Sequence, residues 1–264
     1  VLDGFDLGVG FWYLFTRSDA HRRVLRTAIG PVWDGNEVWL LTGGGALFAA
    51  FPHAYATVFS GFYMALMLVL AALILRAASL EFRKEMDSPG WRRVWDWAFG
   101  LGSTLPALLF GVALGNILRG VPLDTDKQFT GTFFTLLNPY ALLIGVAGLL
   151  MLLTQGALFI ALKTEGSLSA QGRQWAKATG PGYVLLLLVA MAATRLLEPQ
   201  LLTNYADAPV LWVLPVLAVT LGAAALVLNL RRQESRAFVA WSACIVATMA
   251  MAGTGLFPNI VPAL

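Results

Sequence analysis

The feature that most constrains this chain is a repeated one: long apolar runs without charge, each closed by a short cluster of Lys and Arg. A helix that crosses a bilayer needs about 20 mainly apolar residues. Residues 54–75, 94–117, 139–162, 210–230 and 237–257 meet that length easily. Residues 180–197 form a shorter but sufficient run, with Arg195 placed to snorkel at its end. Residues 1–16 read as the inner part of a further helix. The chain opens at Val1 without Met and stops at Leu264, so a missing outer half of that helix and a missing segment after Leu264 are expected.

Composition agrees with this pattern. Only 12% of the 264 residues are charged and 58% are hydrophobic, with a mean hydropathy of +0.71. A soluble domain averages about a quarter charged, so these charges cannot coat a globule of this size. The apolar content excludes disorder. The single Cys244 excludes a disulfide scaffold, and no Cys or His cluster has zinc spacing. The net charge of +3 does not indicate nucleic acid, because the basic residues fall between apolar runs. The expected fold class is all-α, a polytopic transmembrane helical bundle within a lipid bilayer.

Residues 21–51 are ambiguous, since they hold Asp34 and Glu37 and are interrupted by Pro31. The basic residues decide whether this segment crosses. If it does, one side of the membrane receives Arg17, Arg22, Arg23, Arg26, Arg76, Arg83, Lys84, Arg92, Arg93, Lys163, Arg173, Lys177, Arg231, Arg232 and Arg236. The other side keeps only Arg119, Lys127 and Arg195 of the 18. Without the crossing, the first two basic clusters would face opposite sides. The positive-inside rule therefore favours eight spans, with the basic side cytoplasmic.

Asp3 and Asp6 lie three apart and share one helix face, and Asp34 and Glu37 repeat that spacing. Asp6 is 11 residues from Arg17, and Asp34 is 11 residues from Arg23. At 1.5 Å per residue both lie about 16 Å above the cytoplasmic charge layer. An ionised acid at that depth costs about 3 kcal/mol on insertion scales, and such residues mark proton or ion paths. Bracing the backbone freed by Pro31 is the other reading. Four acids at one depth exceed what that bracing requires. Gly4, Gly8 and Gly10, with Gly43, Gly44 and Gly45, read as helix packing faces; Walker spacing is absent. Trp33 beside Asp34 offers an aromatic platform suited to a quinone ring, or an interfacial anchor. His21 and His53 fall near opposite membrane faces, so no bis-His haem is expected in this chain, and the Met residues read as apolar filler.

The run Asp3-Gly4-Phe5-Asp6-Leu7-Gly8-Val9-Gly10 resembles the first-helix signature of the subunit II family of cytochrome bd quinol oxidases. Residues 30–40, GPVWDGNEVWL, are similar to that family's second-helix motif, and residues 43–52, GGGALFAAFP, continue it. Gly111 to Asn116, Gly120-Val121-Pro122, Thr154-Gln155-Gly156-Ala157 and Phe257-Pro258 follow in order, so the resemblance spans essentially the whole chain.

This resemblance implies nine helices, arranged as two four-helix bundles plus a peripheral helix. Eight would lie in a single integral membrane domain at 1–264, with the first bundle at 1–117 and the second at 139–257. It implies a haem-bearing subunit I as partner, carrying two b-type haems and one d-type haem, and small single-helix accessory subunits. It implies quinol oxidation coupled to oxygen reduction to water in a bacterial cytoplasmic membrane, electrogenic but without pumping. Asp6 and Asp34 match positions assigned to a proton route, which Asp3 and Glu37 join by spacing. Trp33 matches a residue near a bound structural quinone. Gln also occurs at the Glu37 position, so the resemblance gives Glu37 no role of its own. The rival reading is a secondary transporter with midplane acids, but residues 180–257 carry no matching mid-span acid. A purely structural assembly subunit is a third.

Overall fold

A computed structural model describes residues 1–126 and 128–263. The assignment of Lys127 to the sparsely charged side lies outside the described residues, as does Leu264. The α-helices are α1 (Leu2–Phe15), α2 (Asp19–Ile29), α3 (Trp33–Ala50), α4 (Pro52–Gly61), α5 (Tyr63–Phe82) and α6 (Pro89–Arg119). They continue with α7 (Pro139–Lys163), α8 (Gly166–Leu197), α9 (Thr203–Asp207), α10 (Val213–Leu230) and α11 (Glu234–Leu256). No named strand occurs among the described residues, so the all-α expectation holds.

Six helical segments are long and apolar enough to cross a membrane: α5, α6, α7, α8, Pro209–Leu230 and α11. Of the eight expected spans, the two outside this set are α1, with 14 residues, and α3, which carries Asp34 and Glu37 in its first turns. The chain is a multi-pass membrane protein.

Prolines set several boundaries. Pro31 separates α2 from α3, and Pro52 opens α4 at its first position while Phe51 before it is pushed out of helical geometry, with φ −137° and ψ 63°. The expected span at 54–75 is therefore not one helix. It is divided at Phe62 between α4 and α5, and α5 runs on to Phe82. Asn138 caps α7 by accepting from the Ala141 N–H at 2.9 Å, with Pro139 beside it in the first turn.

The element that organises the bundle is α1, whose residues from Asp3 to Gly10 are all buried. It packs against both α6 and α7. A Cβ placed on Gly8 would stand 2.2 Å from the Leu152 carbonyl oxygen, and one on Gly156 would stand 2.4 Å from the Gly8 carbonyl carbon. A Cβ on Gly10 would strike Ser103 Oγ at 1.9 Å. Only glycine permits these backbones to approach so closely. Around that contact Phe5 stacks on Phe159 at 4.2 Å and Trp12 stacks on Trp175 at 4.6 Å. Trp12 Nε1 also donates to the Leu153 carbonyl at 2.8 Å. The buried core continues from Phe5 and Tyr13 through Phe99 and Leu158 to Tyr183 and Trp241.

One end of the bundle is tied by Asp96 on α6, which is 4% exposed. Its carboxylate accepts from Tyr13 Oη, from Arg22 Nη1 at 2.6 Å and from Arg83 Nε at 2.5 Å. Arg83 Nη2 reaches Asp19 at 2.6 Å. That bond holds the Asp19 carboxyl below the usual carboxylate range. Its contribution is complete at neutral pH, above an unfolded pKa near 3.9, and is lost as acid titrates through the lowered value. Arg22 and Arg83 thus meet on one acid, which places the first two basic clusters at the same end. Arg173 pairs with Glu234 at 2.9 Å, joining α8 to α11, while Arg119 faces Glu198 at 3.9 Å.

Three outcomes follow from this packing. Cysteines introduced at exposed Ser18 and Ser88 should react with an impermeant maleimide from one and the same side, with native Cys244 silent because it is fully buried. Asp96→Asn should lower stability by about 3 kcal/mol, since it strands two guanidinium groups with a weakened partner; detergent-solubilised melting curves measure this. Gly8→Ala should cost about 1 to 3 kcal/mol by overpacking α1 against α7 in the same assay.

Candidate functional site: a buried carboxylate cluster around Arg76

Four helices bring polar side chains to one buried point. Helix α1 supplies Asp3 and Asp6, which lie one turn apart on the face turned toward the bundle interior. Helix α3 supplies Asn36 and Glu37 from its first turn and a half. Arg76 comes from α5 and Gln155 from α7, and both are 0% exposed. The Gly4 and Gly8 positions make room for this meeting. A Cβ on Gly4 would stand 2.6 Å from Gln155 Oε1 and 2.8 Å from Leu152 Cδ2.

Arg76 is the hub. Its Nη1 donates to Glu37 Oε1 and its Nη2 donates to Asp3 Oδ1 at 3.3 Å. Asp6 Oδ2 accepts from Asn36 Nδ2 at 2.6 Å. Gln155 Nε2 donates to the Val1 carbonyl at 2.9 Å. Asp3 Oδ2, Asp6 Oδ1, Arg76 Nε and Gln155 Oε1 are buried and have no hydrogen-bond partner among the described residues. Three carboxylates around one guanidinium is an excess of acid over base. The two free carboxylate oxygens can take up a proton, and the Arg76 Nε–H and the Gln155 amide oxygen can each bond a water molecule.

Arg76 corrects the charge count made on the sequence. It was assigned to the cytoplasmic cluster, yet it lies inside the bundle, two turns before Arg83 on the same helix face. The apolar run 54–75 ends at Leu75, immediately before Arg76. The signal available in the sequence was the spacing of seven between Arg76 and Arg83, separated by residues that continue a helix. Asn36, Gln155 and Asp96 were also missed, because a single amide or acid near an apolar run carries no pattern.

The four acids do not gather as a set. Asp3, Asp6 and Glu37 converge, whereas Asp34 lies on the exposed side of α3. The partner of Asp6 across the helix contact is Asn36. Trp33 is half-buried and packs against the main core. The two glycine groups differ as well. Gly4 and Gly8 face α7 at close range, but a Cβ on Gly43 or Gly45 would meet nothing within 4 Å, and one on Gly44 only Phe59 Cζ at 3.9 Å. The expected packing face at Gly43, Gly44 and Gly45 is therefore not used within this chain. α3 stands at the periphery, so its glycines have no neighbouring backbone to approach.

Among the described residues no group of three or more His, Cys, Asp or Glu is arranged to hold a metal ion. His21 belongs to α2 at the basic end and His53 to α4 beyond the far end of α3. The 18 residues of α3 rise about 27 Å between them. They do not fit as an axial pair for one haem. Cys244 donates from Sγ to the Ala218 carbonyl at 3.1 Å within the core.

Comparison with known proteins agrees with this architecture. Residues 1–264 match the family model of cytochrome bd terminal oxidase subunit II. The chain is 38% identical over 293 aligned residues to the cytochrome bd-I ubiquinol oxidase subunit 2 of Escherichia coli (strain K12), covering 99% of this chain and 77% of that protein. It is 37% identical over 261 residues to the cytochrome bd ubiquinol oxidase subunit 2 of Bacillus subtilis (strain 168), covering 98% and 76%. The solved structure of the bd oxidase from Geobacillus thermodenitrificans shares the fold, with a TM-score of 0.82 at 16% identity over 98% of this chain and 80% of that one. On the family match along its whole length and these identities, the chain belongs to the cytochrome bd terminal oxidase subunit II family.

Proposed function

We propose that this chain is the haem-free subunit of a bd-type quinol oxidase and supplies a proton route from the cytoplasm to a haem-bearing subunit I. In this reading the complex oxidises quinol, reduces oxygen to water and sits in a bacterial cytoplasmic membrane with small single-helix accessory subunits. The observation that carries the reading is the buried excess of acid around Arg76, with Asp3 Oδ2 and Asp6 Oδ1 unpartnered. Proton relay requires hydrogen-bond reach or one intervening water, and buried carboxylate oxygens without a partner are the atoms such a relay would use.

The outward face of α3 supports the partner. Asp34, Val38, Leu41, Gly45 and Phe48 follow one another at helical spacing and all are exposed. Lipid against Asp34 would cost about 3 kcal/mol. A protein helix removes that cost, and the open Gly45 position on the same face allows its close approach. Exposed Asp34 lies one turn before Glu37 on neighbouring parts of one α3 face, and Glu37 is bonded to Arg76. The relay passes from Asp6 and Asp3 to Glu37, then to Asp34 and the partner. α1 and α3 to α6 make the first bundle, and α7, α8, α10 and α11 the second. A structural quinone against Trp33 belongs to the same proposal.

Two measurements test this reading in the complete oxidase. Asp34→Asn should keep the haem spectrum yet lower oxygen-reducing turnover roughly 100-fold, the low end of what a positioned proton-transfer group contributes, with Asp34→Glu partly active. Loss of haem in Asp34→Asn would instead favour bracing, and full turnover with intact haem would refute the route. Arg76→Gln should destabilise the complex by about 3 to 5 kcal/mol, because it leaves buried carboxylates without their cation, and Arg76→Lys should recover part of that loss in thermal melts.

A further inference from the structure

A cavity of about 440 Å³ lies between α6, α7, α8, α10 and α11, away from the Arg76 cluster. Its volume is within the range of small-molecule sites. Along α7 it extends from Tyr140 to Leu152, which at 1.5 Å per residue is about 18 Å. That is close to the thickness of one leaflet, half of a hydrocarbon core of about 30 Å.

The walls are almost wholly apolar, aliphatic with several aromatic rings, and the hydroxyl groups among them are already engaged. Tyr140 Oη bonds Thr194 Oγ1 at 2.8 Å, Tyr183 Oη bonds Thr248 Oγ1 at 2.8 Å, and Tyr205 Oη donates to the Met251 carbonyl at 2.7 Å. An apolar cavity with no free polar partner does not hold water well. It also gives a polar headgroup nothing to bond. Its interior suits an alkyl chain.

The mouth has different chemistry. Met191, Trp212 and Pro215 line both the cavity and a smaller recess that continues over Val216 on the outer face of α10, which is 58% exposed. The cavity therefore opens sideways between α8 and α10, where a membrane protein meets lipid. Arg195 lies at its rim in the last turn of α8, at the end opposite the basic clusters. Nearby Glu198 faces Arg119 at 3.9 Å, and Arg195 has no ion-pair or hydrogen-bond partner among the described residues. We infer that this cavity holds one acyl chain of an anionic phospholipid, entering between α8 and α10 with its phosphate on Arg195.

The test uses the complete complex, stripped of loose lipid by detergent exchange and re-equilibrated with 1-palmitoyl-2-oleoyl-phosphatidylglycerol in maltoside micelles. Native mass spectrometry then counts the phospholipid that survives dilution. The wild type should retain one molecule more than Arg195→Gln and Ala252→Leu, with occupancy of that molecule reduced about tenfold in each. Arg195 is exposed, so its variant isolates head recognition from folding, and Ala252→Leu narrows the cavity itself. Equal retention in all three proteins would overturn the inference. A retained prenylquinone or free fatty acid in place of the phospholipid would overturn it as well.

Discussion

Backbone-to-backbone contact between α1 and α7 at Gly8 and Gly156 is the constraint on which the other features rest. Because no side chain separates the two helices there, α1 lies inside the bundle rather than on it. That position carries Asp3 and Asp6 to the level of Arg76 at one height, and Tyr13 to Asp96 two turns further along. A side chain at Gly8 would push α1 outward and open both polar groups together. Packing and electrostatics are coupled through one short helix.

The two polar groups differ in balance. At the basic end Asp96 is a single carboxylate surrounded by Tyr13, Arg22 and Arg83, with Arg83 continuing to Asp19. Donors outnumber acceptors, every Asp96 oxygen is bonded, and the arrangement locks helix ends together. Around Arg76 the ratio is reversed, with three acids for one cation and oxygen atoms left unpartnered. Buried polar networks hold a unique structure when fully satisfied, and partly satisfied networks need a further occupant or partner. The first arrangement is a clamp. The second leaves buried oxygen atoms open to a further occupant or partner.

The two halves of the chain also present different surfaces. α3 turns Asp34 and Gly45 outward, a face unsuited to lipid, and helices α6, α7, α8, α10 and α11 enclose an apolar cavity whose mouth is lined by Met191 and Trp212. Family membership accounts for the shared fold. The chemistry of each surface follows from its own residues.

The sequence by itself determined the class of fold, since apolar runs of helical length in a bilayer have no other solution. Its basic clusters favoured a crossing by residues 21–51, and the tertiary structure brings Arg22 and Arg83 to the same Asp96 at one end. Asp3, Asp6 and Glu37 were legible as buried acids because charge is rare in apolar helices. Arg76 was not legible, because a hydropathy reading treats a cation at the edge of an apolar run as the end of a span. Only the arrival of Glu37 from α3 and Asp3 from α1 makes an arginine stable inside the bundle. Tertiary structure also separated residues that the sequence treats alike. Gly8 and Gly45 both sit in glycine-rich helices, and Asp34 and Glu37 share a motif, but of these only Gly8 and Glu37 meet a close neighbour, because contact is decided by packing between segments far apart in the chain.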